Sequence, residues 1–76
     1  MKSEELKILG ERIREARRTL GWTQEELADQ AGIDRSYIGG VERGERNLTF
    51  NVLCVICNAL VCDVATLTKG IPEVQR

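Results

Sequence analysis

The 76-residue chain contains no histidine, one proline, and one each of tryptophan, tyrosine and phenylalanine. Without histidine there is no Ser-His-Asp constellation, no imidazole general base and no His-ligated zinc site. With its one proline at position 72, nothing of that kind breaks a helix before the last few residues. Net charge is also scarce. Eleven Lys plus Arg stand against twelve Asp plus Glu, a balance of −1, which speaks against a polybasic binder of nucleic acid or membrane. Long apolar runs are missing: the longest, Val52 to Cys62, is interrupted by Asn58 and falls well short of the roughly 20 residues that a membrane span requires. Met1-Lys2-Ser3-Glu4-Glu5 places acids where a signal peptide is basic and then apolar. A cytoplasmic location and no membrane partner are therefore expected. The three cysteines, at 54, 57 and 62, are odd in number and clustered, unlike a secreted disulfide framework.

What the chain does contain is helical periodicity with capping signals. Leu6, Leu9, Ile13, Ala16 and Leu20 step by three and four, tracing one face of a helix. Ser3 is placed to cap it and Gly21 to stop it. Four later helix starts share a pattern of an apolar residue, a Thr or Asp, three residues, then another apolar residue. They are Trp22-Thr23…Leu27, Ile33-Asp34…Ile38, Leu48-Thr49…Leu53 and Cys62-Asp63…Leu67. In each, the Thr or Asp can accept hydrogen bonds from first-turn N–H groups, and the apolar pair can close as a hydrophobic staple. Thr23 with Glu26 also fits a capping box. The expectation is one all-α domain of five helices, at roughly 4–20, 24–31, 35–43, 50–61 and 64–69.

The second and third of these are short and joined by Ala31-Gly32-Ile33-Asp34. Gly32 can end one helix in the left-handed conformation, Ile33 can tuck inward, and Asp34 can start the next helix at a steep angle. That is the geometry of a helix-turn-helix, whose second helix enters the DNA major groove; an αα-hairpin within any small bundle fits the periodicity equally. The residues themselves are more specific. Thr23-Gln24-Glu25-Glu26-Leu27-Ala28, Ala31-Gly32-Ile33, Ile38 and Val41-Glu42-Arg43-Gly44 resemble the phage-repressor/Cro-like (Xre) helix-turn-helix family, in order across about Leu9 to Leu67. The run from Asp34 through Arg35-Ser36-Tyr37-Ile38-Gly39-Gly40 and on to Asn47-Leu48-Thr49 resembles, more narrowly, the controller proteins of restriction–modification systems. Those are small homodimeric regulators of their own operon and of the endonuclease gene.

With Ile38 and Val41 turned inward, the third helix leaves Arg35, Ser36, Gly39, Gly40 and Arg43 for its outer face. Arg35 and Ser36 occupy the first turn, the end that reaches base edges in this docking mode. An arginine fork can take guanine O6 and N7 together, although a solvated surface charge is the bland reading of Arg35. The controller resemblance implies base contacts at Arg35, Ser36 and Tyr37, while a half-buried core tyrosine would look the same at position 37. Gln24, at the start of the second helix, is placed for a phosphate. Arg43, Arg46, Asn47 and Thr49 suit the DNA backbone, and Arg46 and Asn47 match contact positions of controller proteins. Gly39-Gly40 reads either as close approach of the helix to DNA or as a weak helix held by its neighbours. The wider resemblance also implies a structural ion pair between Arg17 and Glu42, bracing the first helix on the third.

Cys54-x-x-Cys57 with Cys62 has no histidine beside it and lies on a continuous helix, so the cysteines read as small core hydrophobes ahead of a redox or metal role. No metal, cofactor or catalytic group is expected. Leu53, Ile56 and Leu60 form one stripe of the fourth helix; Phe50, Cys54, Cys57 and Val61 form another, which suggests a second subunit. The resemblance implies dimerisation through the C-terminal helices (about residues 50–69), pointing to Val61, Val64, Leu67 and Ile71. Two recognition helices about 34 Å apart would then read a palindromic double-stranded DNA operator. For a regulator that activates, RNA polymerase is a further partner. A generic repressor of the wider family and an antitoxin-like interaction module are the alternatives.

Overall fold

The computed structural model describes residues 3–75, so Met1 and Lys2 of the acidic N-terminal segment lie outside it. It contains α1 (Glu4–Thr19), α2 (Gln24–Ala31), α3 (Arg35–Glu42), α4 (Phe50–Leu60) and α5 (Val64–Thr68). Every N-cap expected from the sequence is in place. Ser3, Thr23, Asp34, Thr49 and Asp63 each lie in extended backbone and accept a hydrogen bond from an N–H of the following turn. Thr23 and Glu26 close the full capping box. The staples are borne out as burial: Leu27, Ile38, Leu53 and Leu67 lie in the core, with Trp22, Ile33, Leu48 and Cys62 packed half-buried against it.

The helix ends differ from expectation by one residue in four cases. α1, α3, α4 and α5 stop at 19, 42, 60 and 68. The reason is clearest at α4, where Val61 leaves the helix for the left-handed region (φ 57°, ψ 46°) and the N–H of Cys62 returns to the carbonyl of Cys57 at 3.0 Å. Gly32 does the same between α2 and α3, at φ 67°, with the Ile33 N–H bonded to the Ala28 carbonyl at 3.0 Å. This turn sets α3 against α2 at a helix-turn-helix junction. α3 packs on both α1 and α2, α4 packs on α2, and α5 closes the bundle against α1 and α4. The core is Leu9, Ile13, Leu27, Ala28, Ile38, Val41, Leu53, Ile56, Cys57, Leu60 and Leu67. Arg12 secures the C-terminal end, donating to the carbonyls of Leu67 (3.0 Å) and Lys69 (2.6 Å).

One expectation about faces needs correction. Leu67, assigned to a dimer surface, is 3% exposed and belongs to the subunit's own core, because it is the inner half of the α5 staple. Cys57 is buried, in keeping with its reading as a small core hydrophobe, so the stripe of Phe50, Cys54, Cys57 and Val61 does not face outward along its whole length. Gly10 was not singled out by the sequence, yet it is where α1 crosses the end of α3. A Cβ there would stand 2.4 Å from the Val41 carbonyl oxygen and 2.7 Å from that of Glu42, both backbone atoms. Gly10→Ala should therefore lower stability despite its better helix propensity, by about 1–3 kcal/mol from overpacking. Urea denaturation would check this, and an unchanged or raised midpoint would show that α1 can move away from α3 freely.

Candidate nucleic-acid interface

Glu42, the last residue of α3, is fully buried and lies among three helices. Its Oε2 accepts from Arg17 Nε at 2.7 Å, and its Oε1 accepts from Arg17 Nη2 at 3.0 Å and from Gln24 Nε2 at 3.1 Å. Arg14 Nε approaches Oε1 at 3.4 Å. Arg17 also donates to the Trp22 carbonyl at 2.7 Å, fixing the chain between α1 and α2. The expected Arg17–Glu42 pair is thus present as a bidentate bond, enlarged by Gln24 and Arg14. Arg14 follows from spacing, three residues before Arg17 on the same helix face; Gln24 has no such signal.

Gln24 carries the network outward. Its Oε1 accepts from Arg35 Nη1 at 3.1 Å, so one amide spans the buried carboxylate and the first residue of α3. The side chain read from sequence as a phosphate ligand is therefore engaged within the protein. Arg35 and Ser36 are exposed in the first turn of α3, as expected. Ser36 Oγ donates to the carboxylate of Asp34, whose pKa is lowered by the bonds from the Ser36 hydroxyl and backbone N–H. Tyr37 is half-buried against the core, as one of its two readings has it, and its ring lies under the Arg46 guanidinium at 5.2 Å to the centroid.

Arg43, Arg46, Asn47 and Thr49 are all exposed just beyond α3. Arg43 Nε donates to Glu45 at 3.0 Å, and Thr49 Oγ1 accepts from the Val52 N–H at 3.1 Å. The outer face at Gly39 and Gly40 is not open, contrary to expectation. Both residues are buried, because Arg43 and Arg46 fold back across them. Of the interface residues expected for a dimer, Val61 is 85% exposed, while Val64 and Ile71 are half-buried against their own core. Phe50 (68%), on the stripe expected to face a second subunit, is exposed, and Val55 (44%) adds exposed apolar surface on α4 that the sequence does not single out.

The three thiols are free. Burial, then the neighbouring Cys62, pushes the Cys57 thiol up to about 12, so it stays protonated and unreactive at neutral pH. Among the described residues no group of three or more Cys, Asp or Glu is arranged to hold a metal ion. No helix among them is long and apolar enough to cross a membrane.

Arg35 is thus exposed at the start of the second helix of a helix-turn-helix, the helix that in this motif enters the DNA major groove. A helix-turn-helix family model matches residues 13–67. The chain belongs to the helix-turn-helix family of transcriptional regulators. It is 43% identical to the control protein C.SmaI of Serratia marcescens over 60 residues, which are 79% of this chain and 71% of that protein. The structure of the restriction–modification controller protein C.AhdI from Aeromonas hydrophila matches with a TM-score of 0.83 and 42% identity, over 86% of this chain and 98% of that one. The controller protein C.Esp1396I, solved as a tetramer with its natural 35 base-pair operator, matches with a TM-score of 0.83 at 33% identity, over 95% of each chain. The likeness to controller proteins within the family therefore extends from residues to backbone.

Burial opposes ionisation of Glu42, but the bonds from Arg17, Gln24 and Arg14 outweigh it and hold the carboxyl below its ordinary range. Arg17 is correspondingly raised by its bond to Glu42. With the folded pKa below the unfolded value of about 4.3, the pair's stabilisation is present above that pH and is lost as pH falls through the folded pKa. Glu42→Gln should cost about 3–5 kcal/mol at neutral pH, leaving Arg17 buried without its counter-charge. The variant should also lose much of the wild type's acid sensitivity. Denaturation midpoints from neutral pH to about pH 3 would test it, and parallel pH profiles would exclude Glu42 as the titrating group.

Proposed function

We propose that the chain binds double-stranded DNA as a homodimer, reading a palindromic operator through α3, and serves as a controller of a restriction–modification operon. The observation that carries this reading is the convergence of Arg35, Ser36, Tyr37 and Arg46 around the exposed side of α3, the position that enters the major groove in this motif. The likeness to C.Esp1396I, which was solved on its operator, supports it. Arg35 and Ser36 read base edges, with Tyr37 beside them. Arg43, Asn47 and Thr49 meet the phosphate backbone, which positions the helix without reading sequence. Gln24 orients Arg35 and leaves the N–H groups of the α2 start for a phosphate. Such a protein acts in the cytoplasm by binding alone, and its activating mode brings in RNA polymerase.

Duplexes selected from a random pool should converge on one near-palindrome, bound far more tightly than scrambled DNA. Arg35→Ala should relax preference at one base pair by about 1–3 kcal/mol, and Arg43→Ala should weaken all sequences alike and lower the salt slope by about one unit. Equal affinity for selected and scrambled duplexes would refute specific recognition.

The dimer surface centres on Val61, with Phe50 and Val55 on the adjoining turns of α4. Val61 is a β-branched residue at φ 57° and 85% exposed. Within one subunit that conformation is strained and its side chain gains little burial. Contact with a second subunit would supply the missing burial. Val61→Gly should raise monomer stability by up to about 1 kcal/mol while weakening dimerisation. Sedimentation equilibrium reads the second effect, and an unchanged dimer dissociation constant would remove Val61 from the interface.

A further inference from the structure

Gly40 lies in the last turn of α3 and is buried, but not by the core. The atoms over it belong to Arg46: a Cβ at position 40 would stand 3.1 Å from Arg46 Cγ, 3.2 Å from Nε and 3.6 Å from Cδ. The stem of Arg46 therefore rests on a stretch of helix that only glycine leaves flat. From there its guanidinium reaches over the Tyr37 ring, at 5.2 Å from the centroid, within cation–π range. Tyr37 and Gly40 are three residues apart and so are neighbours on one helix face. Glycine is a poor residue for the helix itself, and Arg46 is otherwise an exposed side chain on a loop with many rotamers open to it.

We propose that Gly40 is a positioning residue for sequence recognition. It seats Arg46 between the α3 backbone and the Tyr37 ring, so that a guanidinium supplied by the loop takes the place of the side chain missing at position 40. Held in this way, Arg46 is a base-reading group suited to the paired O6 and N7 acceptors of a guanine, rather than a loose phosphate clamp. The ordering is in place before DNA arrives, so less freedom is lost on binding. This inference rests on the DNA-reading function proposed above.

The contact that an added methyl would make is with a flexible exposed side chain, so Gly40→Ala should fold normally and melt no lower than the wild type. The test is a double-mutant cycle of Gly40→Ala and Arg46→Ala on the full chain, with affinities measured for the selected operator and for its single-base variants. Gly40→Ala should weaken operator binding about tenfold while Arg46 is present, and flatten the preference at one G·C pair. In the Arg46→Ala background the same substitution should change affinity less than about twofold, there being no side chain left to displace. Equal losses in both backgrounds would overturn the proposal, because the added methyl would then be meeting DNA directly. No loss in either, or an Arg46→Ala variant that weakens every duplex alike, would overturn it as well. Failure of the wild type to prefer any duplex would overturn the DNA reading and this inference together, whereas a normal operator with an uncoupled cycle overturns only the inference.

Discussion

The orientation of α3 depends on one buried carboxylate. Glu42 stands at the C-terminal end of α3, where the helix dipole disfavours a negative charge, and it is 1% exposed. Withdrawing such a group from water costs several kcal/mol unless charge and hydrogen bonds replace the lost hydration. Arg17 supplies two of those bonds from α1, and Gln24 supplies one from α2. Three helices are thereby tied at one point. The tie requires the α1 backbone to come close to the last turn of α3, and Gly10 permits that approach where a methyl group would collide with two carbonyls. Charge pairing and backbone proximity are two parts of one constraint, for the short Arg17–Glu42 bonds could not form if the helices stood further apart.

The same constraint reaches the surface through a single amide. Gln24 accepts from Arg35 while donating to Glu42, so the conformation of the exposed arginine is linked to the buried pair. A net charge of −1 is also compatible with a locally basic surface on this chain. Net charge averages over surfaces that point in different directions. The acids of α2 (Glu25, Glu26 and Asp29) are exposed on their own helix, while Arg35, Arg43 and Arg46 gather on and just beyond α3.

The local rules were legible in the residues themselves, whereas of the long-range ones only the Arg17–Glu42 pair was, and that through the family resemblance. All five N-caps, the capping box and the staples can be read along the chain, because a cap and its first turn lie within a few residues of each other. Leu67 is instructive. The cap pattern marks it as the inner half of a staple, and that local signal was the sound one; the family resemblance had drawn it into a dimer surface. Helix ends were less legible, since nothing in a β-branched valine announces the left-handed conformation that Val61 adopts. Gly10 was invisible because its role depends on carbonyls more than thirty positions away. The second role of Gln24 was hidden for a similar reason: a helix-start glutamine has a sound local explanation, and its partners at 35 and 42 become neighbours only when α3 docks.

The glycine pair in α3 follows from how that helix is held. Eight residues are too few for a helix to persist on intrinsic propensity, since isolated helices shorter than about 12–15 residues are marginal in water. Its stability therefore comes from Ile38, Val41 and Glu42, all buried, and from the Asp34 cap. A helix fixed from its inner face can carry residues on its outer face that would weaken a freestanding one. Gly39 and Gly40 do so, and the surface they leave is occupied by arginine side chains from positions 43 and 46. The buried pair at Glu42 thus has a consequence on the opposite side of the helix. By anchoring α3 through its tertiary contacts, it frees the outer face to be shaped by the side chains that lie across it rather than by what a helix prefers.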